Sequence, residues 1–118
     1  QGYTQIDLVG PAPQWKDTLY KQLYLHYAFN RNKVGEDYRV PYRMKLGLKD
    51  NFLEIDGKMR ELAEQLGIRY LSIVNILCNS DGCITRFGDT ADKLSSFDGG
   101  HLTNFTSEYV VERFNQKQ

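Results

Sequence analysis

No stretch of this chain stays apolar for the roughly 20 residues that a helix needs to cross a bilayer, and no signal-peptide pattern is visible at its start. Neither sign of charge dominates. With 15 basic and 15 acidic residues the formal net charge is zero, which argues against the basic face that general nucleic-acid binding requires. Histidine is scarce, with only His26 and His101, and there is no second cysteine pair beside Cys78 and Cys83. A zinc cluster needs more ligands than that, so neither a metal nor a cofactor is expected. There are no internal repeats and no low-complexity segment. Most telling, no serine or cysteine sits in a recognisable nucleophile turn.

What is present includes Asp98-Gly99-Gly100-His101-Leu102-Thr103. It places a carboxylate three residues before an imidazole, in a glycine-paired turn ahead of the last helix. A histidine held in one tautomer by a nearby carboxylate is the base half of a nucleophilic triad. The two glycines are expected to give the backbone freedom for the side chains to converge. A helix-capping turn is the plainer reading of the same residues.

Asp98-x-x-His101-Leu102-Thr103 resembles the closing catalytic block of the SGNH (GDSL-like) hydrolases. The run Leu77-Cys78-Asn79-Ser80-Asp81-Gly82-Cys83-Ile84-Thr85-Arg86, followed by Gly88-Asp89, is similar to the SGNH domain fused to bacterial membrane acyltransferases that O-acylate surface polysaccharides. Val9-Gly10-Pro11-Ala12-Pro13-Gln14-Trp15 is similar to the strand-end segment of those domains. The resemblance spans Asp7 to about Phe114; Thr106 stands where family members usually carry glycine. It implies a three-layer α/β/α, flavodoxin-like parallel sheet, of which residues 1–118 are the C-terminal part as a single, incomplete domain.

The resemblance further implies a periplasmic domain of a bacterial inner-membrane protein. That protein would transfer O-acetyl or another O-acyl group to a cell-surface polysaccharide, or hydrolyse the ester. His101 would be the general base and Asp98 its orienting acid. The nucleophilic serine, and the glycine and asparagine of the oxyanion hole, would lie upstream, so residues 1–118 alone would be inactive. The implied partners are the upstream part of the domain, a membrane acyltransferase domain and a saccharide acceptor. Two other readings stand beside it: a non-catalytic glycan-binding or partner-docking remnant, and a structural module that tethers a membrane enzyme.

Cys78 and Cys83 enclose Asn79, Ser80, Asp81 and Gly82, turn chemistry able to bring two thiols within bonding distance. A structural disulfide is favoured over free thiols, in keeping with an oxidising compartment. Arg31, Lys33, Arg39, Arg43, Lys45 and Lys49 crowd the middle, opposed by Glu36, Asp37 and Asp50. A solvated loop is the plain reading; contact with an acidic glycan or a neighbouring domain is the sharper one. Trp15 either anchors its helix or lines an acyl-group pocket. His26 reads as a core-edge histidine, with a second catalytic base as the alternative. Gly88-Asp89-Thr90 mimics a Gly-Asp-Ser nucleophile turn, but no buried strand leads into it, so it reads as a plain turn.

The hydrophobic pattern predicts an α/β order. Ile6 to Val9 is a short strand stopped by Gly10 and Pro11. Trp15 to about Arg31 is a helix, and residues 32–50 an irregular loop. A clear helix follows over about Phe52 to Leu66, with Phe52, Ile55, Met59, Leu62, Ala63 and Leu66 as its apolar stripe. Asp50 or Asn51 would cap its start and Gly67 its end. Ile68 to Val74 reads as a buried parallel strand. The last helix runs from about Asn104 to Phe114 with Thr103 as its cap. Two parallel strands leave open edges, so the sheet must be completed by upstream residues or by strand exchange between copies.

Overall fold

A computed structural model of the chain describes residues 6–34, 38–88 and 93–116. The elements are β1 (Asp7–Val9), α1 (Leu19–Val34), β2 (Arg43–Met44), α2 (Asn51–Leu66), β3 (Arg69–Leu71), α3 (Ile73–Leu77), β4 (Cys78–Asn79), β5 (Gly82–Ile84) and α4 (Asn104–Gln116). The fold is mixed α/β with a parallel sheet and packed helices. β1 and β3 pair in parallel, Leu8 opposite Tyr70 and Asp7 opposite Arg69. That last pair is also bridged by two hydrogen bonds, Arg69 Nε and Nη2 donating to the Asp7 carboxylate at 3.0 and 2.7 Å. A second, antiparallel sheet of order β2-β5-β4 was not anticipated from the sequence.

That sheet occupies part of the expected 32–50 loop. β2 is too short to show periodicity, and it pairs with β5 only because Gly82, at φ +114°, lets the β2 backbone approach. A Cβ there would collide with the Met44 carbonyl. Across the hairpin the registered pair Cys78 and Cys83 forms a disulfide, with Cα atoms 4.0 Å apart. Asn79 Oδ1 accepts from Asp81 N at 2.8 Å and tightens the turn.

Two other elements depart from expectation. α1 begins at Leu19, not Trp15, because the preceding amides bond elsewhere. Trp15 N donates to the Gly99 carbonyl and Lys16 N to the Gly47 carbonyl, both at 2.7 Å. The four-residue spacing from Trp15 to Leu19 follows the helical period without being helical. The expected strand 68–74 ends at Leu71. Ser72 is extended and its hydroxyl accepts from Asn75 N at 3.1 Å, so the apolar run behind it turns into α3. A short apolar run reads equally as strand or helix.

α2 ends as expected on Gly67, at φ +70°, whose amide reaches the Ala63 and Glu64 carbonyls. Asp50 precedes its start without a side-chain cap. Of its predicted stripe only Phe52 and Ala63 are buried; the third buried position is Asp56, while Ile55, Leu62 and Leu66 are exposed. Asp56 is accommodated there by accepting from Tyr70 OH at 2.5 Å and Ser72 Oγ at 3.1 Å, tying α2 to β3 and to the start of α3. Thr103 does not cap α4 with its side chain. Its hydroxyl donates to the Leu94 carbonyl at 2.8 Å and meets Thr106 Oγ1 at 3.0 Å. Thr106 in turn donates to the Ser95 carbonyl.

The main core gathers Trp15, Leu19, Leu23, Phe52, Val74 and Leu94. A second, around Leu77, Ile84 and Val110, seats α4 on α3 and β5. Between them run residues 94–96 and 102–103, and the Asp98 turn projects from that pair.

Candidate functional site

The turn at 98–101 is held from three sides. Ser96 and Leu102 bridge at its base, Leu19 N donates to the Asp98 carbonyl at 3.1 Å, and Trp15 N donates to the Gly99 carbonyl. Among the described residues positive φ is confined to Gly47, Gly67, Gly82 and Gly88. The paired glycines here are therefore not needed for a left-handed backbone, contrary to the sequence reading. Gly99 instead eases a close approach: a Cβ would lie 3.1 Å from the Trp15 carbonyl oxygen, a tight contact.

Within this frame Asp98 uses both oxygens. Oδ1 accepts from the backbone amides of Gly100 and His101, each at 2.8 Å, and from Ser96 Oγ at 3.2 Å. Oδ2 lies 2.7 Å from His101 Nδ1. The Gly100 amide foremost, then the His101 amide and ring, hold the Asp98 carboxyl well below the usual carboxylate range. An ionised carboxylate can only accept, so Nδ1 carries the proton of this hydrogen bond. In the neutral ring Nε2 is then the basic nitrogen. Among the described residues Nε2 makes no hydrogen bond, and the His101 side chain is 94% exposed. The two side chains converge, as the sequence reading expects, but at the surface.

They border a cavity of about 400 Å³ whose other lining residues are Gly99, Gly100, Gln14, Trp15 and Lys49. Gln14 and Lys49 arrive together because Lys49 N donates to the Gln14 carbonyl at 2.9 Å. A second cavity of about 290 Å³ shares Lys49 and reaches past Phe52 to the disulfide. Trp15 is only 3% exposed and belongs to the main core. It anchors the segment before α1, not the helix itself, and offers the cavity little open surface.

The remaining candidates lie elsewhere. His26 Nδ1 pairs with Tyr38 OH at 2.8 Å, which occupies it structurally. Gly88, at φ +78°, sits in a turn; Asp89 and Thr90 lie outside the described residues, as do Glu36 and Asp37. Of the basic cluster, Arg43 donates to the Leu77 carbonyl at 2.7 Å and is structural, whereas Lys45 and Lys49 line cavities. Among the described residues no group of three His, Cys, Asp or Glu side chains could hold a metal ion. Sequence reasoning did not connect Ser96, Gln14 or Lys49 with the Asp98 turn, Lys49 being read only as part of the basic cluster. Ser96 has a legible signal in its Ser-x-Asp spacing; Gln14 and Lys49 meet only through a backbone bond that no local pattern announces.

With this geometry established, the family model described as the SGNH domain fused to AT3 domains matches residues 3–116. The chain belongs to the SGNH domain family. A solved structure similar to it is the periplasmic domain of the Salmonella ser. Paratyphi A lipopolysaccharide acetyltransferase, 29% identical with a TM-score of 0.83. The alignment covers 97% of this chain and 41% of that one, so this SGNH chain spans less than half of its structural neighbour. No curated protein sequence matches it.

Proposed function

We propose that this SGNH chain supplies the Asp-His half of a periplasmic acyl-transfer centre, as part of a membrane protein that carries an acyltransferase domain and acylates a cell-surface saccharide. The observation that carries the reading is Asp98 Oδ2 on His101 Nδ1 at 2.7 Å with Nε2 left open. A serine hydroxyl from another part of the protein attacks the carbonyl carbon of the acyl donor. Its proton passes to Nε2, and Asp98 stabilises the resulting imidazolium. The tetrahedral adduct collapses as the imidazolium protonates the leaving group, leaving an acyl-serine. A sugar hydroxyl then attacks that ester, again losing its proton to Nε2, and the serine departs with the proton returned. Donors for the oxyanion come from outside these residues.

The source of that serine is the rest of the SGNH domain, which also completes the sheet. β1 and β3 each have one partner among the described residues. Beside them Ile6 and Val9, and Leu62 and Leu66 on α2, are exposed apolar side chains. Exposed apolar surface of this kind marks an interaction site, and the structural neighbour extends well beyond the matched region.

In the full-length protein, His101→Ala abolishes acyl transfer while circular dichroism and the melting midpoint stay at wild-type values. Transfer at the wild-type rate in this variant overturns the assignment.

A further inference from the structure

Apart from the dyad, the most distinctive surface of the molecule is aromatic. Tyr20, Tyr24 and Tyr27 recur at i, i+4 and i+7 on one face of α1 and line a cavity of about 320 Å³. Tyr38 and Val40 also line it, and the buried Leu23 and Leu94 form part of its floor. The rings are arranged against one another: Tyr27 and Tyr38 meet edge-to-face at 5.1 Å, and Tyr24 and Tyr27 are tilted at 6.4 Å. The hydrogen bond with His26 fixes Tyr38 in place. Tyr24 is nonetheless 65% exposed.

We infer that this tyrosine cleft is a saccharide-binding subsite that holds the polysaccharide acceptor beyond the sugar being acylated. The chemistry of its lining is the first reason. Every aromatic side chain around it is a phenol, with an apolar ring face for sugar C–H groups and a hydroxyl for sugar hydroxyls. A protein-docking face would favour the apolar side chains that α1 carries on its opposite side, Leu25 and Phe29. Pre-ordering is the second. Tyr27 and Tyr38, braced by each other and Tyr38 also by His26, lose little freedom on binding.

Continuity with the dyad is the third reason. The first turn of α1 is bonded to the Asp98 turn through Leu19 N, and Leu94 at the cleft floor lies two residues before Ser96, which holds Asp98. From Tyr20 to Tyr27 the row then runs about 10 Å along the helix. A linear polymer with one hydroxyl at His101 that continues along α1 would lay its next sugars on this row, a length that one monosaccharide does not reach. The inference depends on the acyl-transfer reading only for calling the saccharide an acceptor.

The test uses the full-length protein and two probes, delipidated polysaccharide from bacterial lipopolysaccharide and a monosaccharide, in calorimetric titration and in transfer assays. Tyr24→Ala is expected to weaken polysaccharide binding about tenfold, to raise KM for that probe with kcat little changed, and to leave the monosaccharide unaffected. Tyr24→Phe recovers part of the loss by keeping the ring. His101→Ala binds the polysaccharide as wild type does. Equal affinity of wild type and Tyr24→Ala, or no polysaccharide binding by wild type, overturns the inference. A changed sedimentation coefficient in Tyr24→Ala also overturns it, assigning the cleft to contact between protein surfaces. Normal transfer by His101→Ala with binding still lost in Tyr24→Ala would sink the dyad assignment and leave the saccharide subsite standing.

Discussion

Replacing Asp98 by asparagine separates the structural work of this carboxylate from its electrostatic work. The substituted side chain keeps an oxygen where Oδ1 accepts from the Gly100 and His101 amides, so the turn survives. Its other atom becomes an amide nitrogen, a donor facing His101 Nδ1 at the position that Oδ2 holds, 2.7 Å away. Two donors cannot share that bond, so the ring moves its proton to Nε2 and presents no base to a serine. When a triad acid becomes an amide in this way, the loss in kcat is about 10⁴-fold, or about 5 kcal/mol of barrier. We expect a loss of about 10³- to 10⁴-fold here. Nitrogen NMR of the His101 ring reads the tautomer directly, and transfer kinetics read the rate. Because the folded pKa of Asp98 is depressed, its contribution to stability is present above the unfolded carboxylate pKa and is lost as pH falls through the folded value. The asparagine variant should therefore be less sensitive to acid than wild type. A kcat within about threefold of wild type, with Nε2 protonated, would refute the reasoning.

Three further outcomes follow from the fold. Reducing the Cys78–Cys83 bond, or Cys78→Ser with Cys83→Ser, should cost about 2 kcal/mol by the chain-entropy argument for so short a loop, read as a lower denaturation midpoint; an unchanged midpoint would show the hairpin holding itself. Gly10→Ala places a methyl group against the Tyr70 hydroxyl that Asp56 accepts from, so about 1–3 kcal/mol should be lost with that bond, and adding Tyr70→Phe should cost little more. Leu62→Lys with Leu66→Lys should destabilise the full-length protein by about 2 kcal/mol or more, because apolar surface covered by the rest of the domain would gain buried ammonium groups; a change inside about 0.5 kcal/mol, usual for solvent positions, would show that face to be uncovered.

The parts of this molecule legible in its sequence are those where local chemistry and final structure agree. β1 stops where Gly10 and Pro11 say it should, α2 stops at Gly67, and the turn between the cysteines has hairpin chemistry. Asp98 and His101 were legible because three residues separate them. What stayed hidden depends on distant partners. The Gly99 carbonyl accepts from the Trp15 amide and delays α1; Ser72 diverts an apolar run into α3; β2 exists because Gly82 lets β5 come close. Asp56 was hidden for a different reason. An acid within an apolar stripe reads as an interruption until Tyr70 and Ser72 supply its partners.

The exposure of His101 bears on which acceptor an acyl-serine would meet. An imidazole 94% open to solvent would deprotonate water as readily as a sugar hydroxyl, and water is far more abundant, so an uncovered site hydrolyses its ester. Transfer requires water to be excluded while the acyl group waits. The turn does not accomplish this, because its bonds to Trp15, Leu19 and Ser96 fix the dyad from below and leave the ring facing outward. Exclusion must therefore come from what lies over the ring. On the proposed reading, the two bodies available are the remainder of the domain, which would bring the serine, and the acceptor itself, which would sit along the tyrosine row. If the acceptor is the cover, filling the cleft raises transfer and suppresses hydrolysis together, and Tyr24→Ala shifts the product ratio toward free acid below saturation, a shift that saturating acceptor reverses. A ratio indifferent to that substitution assigns the cover to the protein alone.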